Sequence, residues 1–406
     1  MALPSLRGAF LLLALAGLTA CSSENRGTVS ARAYTPIPQE TLSAMASIGS
    51  DRNAPVLIRA YKKESEIEVW KLAKTGQYGL MKTYPVCRWS GQLGPKTREG
   101  DRQVPEGFYT ITPGQMNPNS ALWLSFNVGY PNAMERSLGR NGGDIMVHGT
   151  CSSRGCFAMT NEQMEEIYAV MREAFQGGQK SVQFQSYPFR MTAENLAKFR
   201  NDPNMPFWKN LKEGSDRFEV TKREPAVGYC GARYTFGASD APECNQTVSD
   251  PAAAAIAEKA REDDARVASL IASGLGPKRM SYADGDQNIV FKDPAKKKLL
   301  EKWAAAGEFS RPEALSAVRE VSLDHKGNVV PDAPETVTAY TAAPKSLIQS
   351  ITLGSAAPAA STDSPVDTAK ADDSFFTKWF GTPSAVEETE TPFTAPATVP
   401  FPPRRG

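Results

Sequence analysis

The aromatic residues of this chain are unevenly distributed, and their distribution limits how much of the chain can fold. Most of the Trp, Tyr and Phe residues lie between Tyr61 and Phe236, whereas the stretch from Pro331 onward consists mainly of Pro, Ala, Thr and Ser. A stretch with few large apolar side chains buries too little surface to offset the entropy lost on folding. The uneven composition of this 406-residue chain therefore favours one folded domain with long tails over two folded domains.

Short apolar and alternating runs indicate a β-rich body over residues 52–225. Such runs are typical of buried and half-buried strands. The predicted strands are residues 56–61, 67–72, 81–87, 122–128, 145–148 and 181–184. Pro85 favours an edge position for the third of them, because proline donates no hydrogen bond to a sheet.

Helical signals appear after Cys156. Thr160 and Gln163 form a capping-box pattern, and apolar residues then recur at helical spacing, which indicates a core-facing stripe rather than a cofactor contact. The stripe consists of Met164, Ile167, Tyr168 and Met171. We also predict a short helix over residues 192–200, and a helix and a strand between residues 208 and 220. The predicted fold class is β-rich α+β, with the folded domain over residues 52–240.

Residues 241–330 are predicted to form a partly helical region of unknown role. Residues 250–275 and 295–306 have the Ala-rich and charged composition that favours helices, and residues 279–291 between them resemble a hairpin. Residues 331–406 are expected to be a disordered tail rich in Pro, Ala and Thr. We interpret the aromatic run at residues 375–380 as incidental rather than as a docking motif.

Residues 1–20 have the pattern of a secretory signal. Arg7 precedes an apolar run over residues 9–18, which is too short to span a bilayer, since a spanning helix needs about 20 residues. The run leads into Leu-Thr-Ala-Cys, which resembles a bacterial lipobox, so we expect Cys21 to carry lipid. The alternatives are a plain signal peptide with an incidental cysteine, or a buried helix. Residues 21–51 are expected to be a polar tether.

The lipobox predicts a location on the periplasmic side of a bacterial membrane, with the bilayer as a partner of the Cys21 anchor. Stable attachment to a membrane requires two anchoring signals, and such an anchor has more than two acyl chains. Ser22 in place of Asp after the lipidated cysteine resembles Gram-negative lipoproteins of the outer membrane and favours that membrane. The net charge of +1 and the lack of a Lys/Arg block argue against nucleic acid as a partner.

Five cysteines remain when Cys21 is set aside. Export implies an oxidising compartment, in which thiols tend to pair. An odd number leaves at least one thiol unpaired, and such a thiol is a candidate for reactivity. Cys230 and Cys244 flank a Gly-containing loop and are predicted to form a disulfide. Cys87 and Cys151 form a second bridge or remain buried thiols, and the sequence leaves both possibilities open.

The segment from His148 to Cys156 carries the clearest chemical signal. A thiol attacks as the thiolate, which is the minor form of an ordinary cysteine at neutral pH. We expect the imidazole of His148 and the charge of Arg154 to lower the pKa of Cys156. Gly155 permits a sharp turn, and the amides of Gly155 and Cys156 are candidate donors to an oxyanion. Nucleophile, base and oxyanion donors are the parts that acyl transfer requires.

The same residues admit two other interpretations. His148 could be a core histidine beside a tight Cys151–Cys156 disulfide, which a turn would permit because bridging needs Cα atoms ~4.4–6.8 Å apart. Zinc could bind to His148, Cys151 and Cys156, but the spacing matches no common zinc pattern and a fourth ligand is missing nearby. We expect Cys156 to be reduced in the active form, and Cys151 to be buried or paired with Cys87.

Several segments together resemble the YkuD-type L,D-transpeptidase catalytic domain. His-Gly at residues 148–149 and Ser-Arg-Gly-Cys at residues 153–156 are similar to its signature, in the compact form of the YafK-like branch. The resemblance also covers residues 89–96, 100–109 and 124–133, and spans roughly residues 52–225. It implies a β-sandwich-like sheet core with short helices.

The resemblance assigns roles to individual residues. Cys156 matches the nucleophile of the family and His148 its base. The positions that match the shaping and oxyanion residues are Gly149, Ser153 and Gly155. Arg154 is a departure, because many members carry His there. His148 is then left as the base, and Arg154 either binds a substrate carboxylate or has no role.

The resemblance also implies a reaction. Cys156 would attack the carbonyl of an L-centre in a peptidoglycan stem peptide, D-alanine would leave, and an amine would resolve the thioester as a crosslink or as an attachment to a wall-attached outer-membrane protein. Water as the acceptor would make the enzyme a carboxypeptidase or an amidase. The family implies no metal and no organic cofactor. The rival hypothesis is a non-catalytic wall-binding lipoprotein, against which the intact His148 and Cys156 pair argues.

Overall fold

Two five-stranded sheets carry the fold in this computed structural model, which describes residues 29–240, 243–244, 249–292 and 318–330. The long-stranded sheet has the order β3-β2-β1-β10-β5. Its strands are β1 Val56–Tyr61, β2 Glu66–Leu72, β3 Tyr78–Pro85, β5 Gly107–Ile111 and β10 Val182–Tyr187. β3 lies at the edge, which confirms the position expected from Pro85.

The short-stranded sheet has the order β4-β9-β8-β7-β6. Its strands are β4 Arg88–Trp89, β6 Met116–Asn117, β7 Ser125–Asn127, β8 Met146–His148 and β9 Phe157–Ala158. Phe184 of β10 contacts Phe126 of β7 and Phe157 of β9, with ring centroids 6.4 and 5.9 Å away. The two sheets therefore share one apolar core, and the predicted β-rich α+β class is confirmed.

Six helices of more than four residues lie among the described residues. They are α1 Gln39–Ser47, α2 Ala133–Ser137, α3 Asn161–Gln176, α4 Ala193–Lys198, α5 Met205–Thr221 and α6 Ala253–Ala272. None of the helices in this part of the chain is long and apolar enough to cross a membrane. Two further antiparallel ladders lie outside these sheets. β11 Ala226–Cys230 and β12 Arg233–Gly237 form a hairpin, and β13 Lys278–Ser281 pairs with β14 Arg319–Ser322, which is distant in sequence.

The start of α3 follows the predicted capping box. The Thr160 hydroxyl accepts from the Gln163 amide at 3.3 Å, and the Gln163 side chain accepts from the Thr160 amide at 3.0 Å. The predicted apolar stripe of α3 is buried in the main core. Local sequence chemistry therefore determines where this helix begins and which face it buries.

Part of the expected tether belongs to the folded domain. Ala33, Ile37 and Met45 are buried in the main core, and Met45 lies on α1. The tether was expected because residues 21–51 are small and polar, but the spaced apolar side chains of this segment pack against the core. The expectation is therefore wrong for the part of the tether from residue 29 onward.

Two further expectations need correction. The helix and strand expected between residues 208 and 220 form the single helix α5. The expected hairpin at residues 279–291 does not form, because β13 pairs with the distant strand β14 and Ile289–Phe291 is a 3-10 helix. The signal segment, Cys21, the expected helix at residues 295–306, the tail from residue 331 and the aromatic run at 375–380 lie outside the described residues.

Candidate active site

Pairing of neighbouring strands brings Cys156 next to the strand of His148 in the short-stranded sheet. β8 and β9 are parallel, with His148 opposite Ala158. Extending the register by two residues sets Cys156 beside Met146, whose amide donates to the Cys156 Sγ atom at 3.4 Å. Cys156 itself precedes β9, and its thiol lies against the backbone of Met146, two residues before His148 in β8. The pairing therefore brings the thiol next to the strand that carries the imidazole.

His148 is held in one tautomer. The residue is 1% exposed, and Nδ1 lies 2.6 Å from the carbonyl oxygen of Gly149. Because a carbonyl can only accept, Nδ1 carries the proton and Nε2 carries the lone pair. Burial lowers the pKa of His148 to about 4, with the Gly149 hydrogen bond acting in the opposite direction. The imidazole is therefore neutral at pH 7 and can accept a proton at Nε2.

Cys156 is a free, partly buried cysteine. Burial raises the pKa of its thiol above the ordinary value, and this outweighs the lowering effects of the Met146 amide and the Lys96 charge. The expectation that His148 and Arg154 lower this pKa is therefore wrong in its net direction. Thiol and imidazole are therefore both neutral, so the thiol has to lose its proton during attack.

The loop before Cys156 is organised by the Ser153 hydroxyl. Ser153 Oγ donates to the Cys156 carbonyl oxygen at 2.7 Å and accepts from the amides of Cys156 and Gly155 at 3.1 and 3.3 Å. Ser90 Oγ also donates to it, at 2.8 Å. The two amides expected to face an oxyanion thus point at Ser153 in this structure. Their oxyanion role stays a prediction that requires them to exchange this partner for the substrate.

Glycine is required at both of its predicted positions in this loop. A Cβ atom on Gly149 would lie 2.7 Å from Asn161 Oδ1 and 2.8 Å from the Trp123 Cβ atom. Gly155 has φ +116°, which side chains disfavour. The backbone therefore passes too close at Gly149, and turns too sharply at Gly155, for another residue.

Arg154 lies on the surface. Its predicted role, binding of a substrate carboxylate, stays a prediction.

A disulfide at Cys151 also holds the loop before Cys156. Cys87 and Cys151 are bonded, with Cα atoms 5.3 Å apart, which rules out the Cys151–Cys156 disulfide and removes Cys151 from the zinc set. Cys151 and Thr150 both have positive φ angles, 54° and 72°. Because such backbone is disfavoured for non-glycine residues, the bond helps to hold an unusual loop. The predicted Cys230–Cys244 bond also forms, with Cα atoms 5.2 Å apart.

Lys96 and Asp101 belong to the site but were not singled out from the sequence. Lys96 is 3% exposed, and its Nζ donates to Asp101 Oδ1 at 2.5 Å. Its positive charge favours the thiolate form of Cys156. Both residues lie in the segments that carried the family resemblance, which is the signal that could have marked them. Within the described ranges, no group of three or more His, Cys, Asp or Glu residues could hold a metal ion.

Comparison with known proteins agrees with the fold. Residues 51–181 match the profile of the YkuD L,D-transpeptidase catalytic domain. YafK of Escherichia coli K12, whose naming as an L,D-transpeptidase is provisional, is 40% identical to this chain over 206 residues. The aligned residues cover 50% of this chain and 80% of YafK. The O157:H7 counterpart matches equally well. The chain belongs to the YkuD family of L,D-transpeptidases. It therefore has a cell-wall L,D-transpeptidase-type function, and the substrate of its family is peptidoglycan.

Two solved structures match this chain at much lower sequence identity. The helical cell shape determining protein Pgp2 of Campylobacter jejuni is 14% identical, with a TM-score of 0.27, and the alignment covers 71% of this chain and 96% of Pgp2. Bd1075 of Bdellovibrio bacteriovorus is 12% identical, with a TM-score of 0.24, and the alignment covers 45% of this chain and 85% of Bd1075.

Proposed function

We propose that this enzyme forms a thioester between Cys156 and a peptidoglycan stem peptide and passes the acyl group to an amine. The observation that carries the proposal is the pairing of β8 with β9, which brings the free thiol of Cys156 next to the strand that carries the neutral imidazole of His148. Family membership supplies the substrate class. A crosslink between stem peptides, or an attachment of a wall-bound protein, would be the product.

The proton transfers of this reaction are consistent with the tautomer of His148, in which Nε2 carries the lone pair. As Cys156 Sγ attacks the carbonyl carbon, Nε2 takes the thiol proton, and the Gly149 carbonyl holds the resulting imidazolium through Nδ1–H. The C–N bond then breaks, and Nε2 returns the proton to the amine of the departing D-alanine. An acceptor amine next gives a proton to Nε2 and attacks the thioester, and the C–S bond breaks to regenerate the thiol.

The test is mass spectrometry of purified tetrapeptide muropeptides incubated with the protein. Transpeptidation predicts dimers that have lost one D-alanine, and it predicts amine adducts when an amine acceptor is added. Tripeptide alone, with or without the amine, would identify water as the acceptor and the enzyme as a carboxypeptidase. A wild-type protein that gives neither product, and no acyl adduct on Cys156, would instead be a wall-binding lipoprotein without catalysis.

We also propose that the protein is anchored by lipid at Cys21 on the periplasmic side of the outer membrane. The lipobox at residues 18–21 and Ser22 support this location. Cys21→Ser is expected to move the protein from the membrane to the soluble periplasmic fraction, with Ser23→Ala, two residues further on, as the matched control. A Cys21→Ser protein that still fractionates with membranes would show that the anchor lies elsewhere.

A further inference from the structure

Residues 282–288 lie beyond the part of the chain that matches the family, yet they extend the short-stranded sheet at its β4 edge. The Trp89 amide donates to the Asp286 carbonyl oxygen at 3.0 Å, and the Gly285 amide donates to the Gly91 carbonyl oxygen at 2.7 Å. A Cβ atom on Gly285 would lie 1.9 Å from the Trp89 carbonyl oxygen. This close backbone contact shows that the segment is built to lie against β4.

The carboxylate of Asp284 in this segment joins two parts of the catalytic sheet. Asp284 is 4% exposed. Its Oδ2 accepts from Arg102 Nε at 3.0 Å and from Nη2 at 2.5 Å, while its Oδ1 accepts from the Gly91 amide at 3.2 Å. The two-pronged contact fixes the plane of the guanidinium, which a single contact would not do.

Both partners of Asp284 lead to Ser153. Ser90, which precedes Gly91, donates to Ser153 Oγ at 2.8 Å. Arg102 Nη2 lies 3.5 Å from the Ser153 carbonyl oxygen, and the Arg102 backbone lies 3.5 Å from where a Cβ atom of Gly155 would be. One carboxylate therefore supports the loop before Cys156 from two directions.

We propose that Asp284 is a positioning residue for Cys156, acting through Arg102 and the Ser90–Gly91 strand end on the Ser153 hydrogen bonds. The inference rests on the proposed function and gives residues 282–288 a role in it. Asp284 has no contact with the thiol, so its effect is on placement rather than on chemistry. Catalytic groups misplaced by about 1 Å lose roughly 10²-fold in rate.

Asp284→Asn tests the proposal because it keeps the size of the side chain. Its amide nitrogen would have to face either the Arg102 guanidinium or the Gly91 amide, and both are donors, so one of the two supports is lost. We expect kcat on tetrapeptide muropeptides to fall about 10- to 100-fold, with KM changed by less than about twofold. Asp284→Glu restores the charge and should recover part of kcat.

The matched control is Asp286→Asn. Asp286 lies in the same segment, but its carboxylate binds Lys292, with Oδ1 2.8 Å from Nζ. Its kcat and KM should stay within about twofold of the wild-type values. A purely structural role of the segment would instead lower the melting temperature in both variants without a selective loss of kcat.

Hydrogen exchange provides a readout that does not depend on turnover. The amides of Gly155 and Cys156 donate to Ser153 Oγ, so Asp284→Asn should speed their exchange, while Asp286→Asn should not. Unchanged exchange together with a kcat within about twofold of wild type would overturn the proposal. If Asp284→Asn does not fold, Arg102→Lys replaces it and is judged by the same criteria. This variant keeps the positive charge but loses the paired Nε and Nη2 hydrogen bonds to Asp284. If the wild-type protein turns over no muropeptide, the proposed function fails, and exchange alone decides the role of Asp284.

Discussion

The two sheets of this protein differ in what holds them together. The long-stranded sheet has strands of 5 to 8 residues, so its ladder hydrogen bonds fix its geometry. The strands of the short-stranded sheet have 2 or 3 residues, and this sheet carries both His148 and Cys156. Side-chain hydrogen bonds, a disulfide and a distant segment stabilise the loop between them. Changes in the first sheet should therefore affect stability, and changes in the second should affect catalysis.

The largest expected effects come from one variant in each sheet, of which one should change only catalysis and the other only stability. Cys156→Ala should reduce turnover on the order of 10⁶-fold, as loss of a nucleophile does, while the free energy of unfolding changes by less than about 1 kcal/mol. Ser186→Ala in β10 should do the reverse, because Ser186 Oγ donates to the Pro105 carbonyl oxygen at 2.6 Å and its loss leaves a buried acceptor, at about 1–3 kcal/mol.

Muropeptide turnover and urea unfolding of both variants measure this contrast. Turnover by Cys156→Ala at a rate near that of the wild type would refute the assignment of the nucleophile.

The two disulfides provide the next comparison. Removing Cys87–Cys151, which closes a 64-residue separation, should cost about 4 kcal/mol, and removing Cys230–Cys244, with a separation of 14, about 3 kcal/mol in the chain-entropy account. Only the first double Cys→Ala variant should also lower kcat, because only that bond holds the loop of Cys156. Equal effects of the two variants on kcat would show that the loop is held without its disulfide.

A smaller effect is expected for Ser153→Ala. The change removes the acceptor of the Gly155 and Cys156 amides, so kcat should fall roughly 10- to 100-fold and stability by about 1–3 kcal/mol. Ser47→Ala on the surface of α1 is the matched control and should change neither. If Ser153→Ala were as active as wild type, the amides would be free to bind an oxyanion, and the loop would need no hydroxyl.

The smallest effect concerns pH. Because the pKa of His148 is lowered to about 4, kcat/KM should be flat from pH 7 to about 5 and fall below about 4, as Nε2 becomes protonated. The folded pKa lies below the unfolded value of about 6.5, so the stability that neutral His148 contributes is present above pH 6.5 and lost as the pH falls toward 4. Urea unfolding at pH 7 and at pH 5 measures this loss of stability, and His148→Asn should not show it. An acidic limb near pH 6.5 would contradict the burial of the ring.

The sequence was most informative where the signal is local. The apolar run of β1, the alternation of β2, the edge position of Pro85 and the capping box at Thr160 all depend on residues a few positions apart. The pair of His148 and Cys156 was recognisable for the same reason, since eight residues separate them. The α1 segment was misjudged because its polar composition concealed the spaced apolar residues that dock it.

The sequence by itself determined the fold class, the candidate nucleophile and base, and the pairing of Cys230 with Cys244. Only the tertiary structure decided the tautomer of His148, the raised pKa of Cys156 and the Cys87–Cys151 bond. It also decided the contact between Arg102 and Asp284, which are 182 residues apart. The physical reason is that propensity and periodicity act over a few residues, whereas burial and electrostatics depend on neighbours from distant segments, which the chain brings together only when it folds.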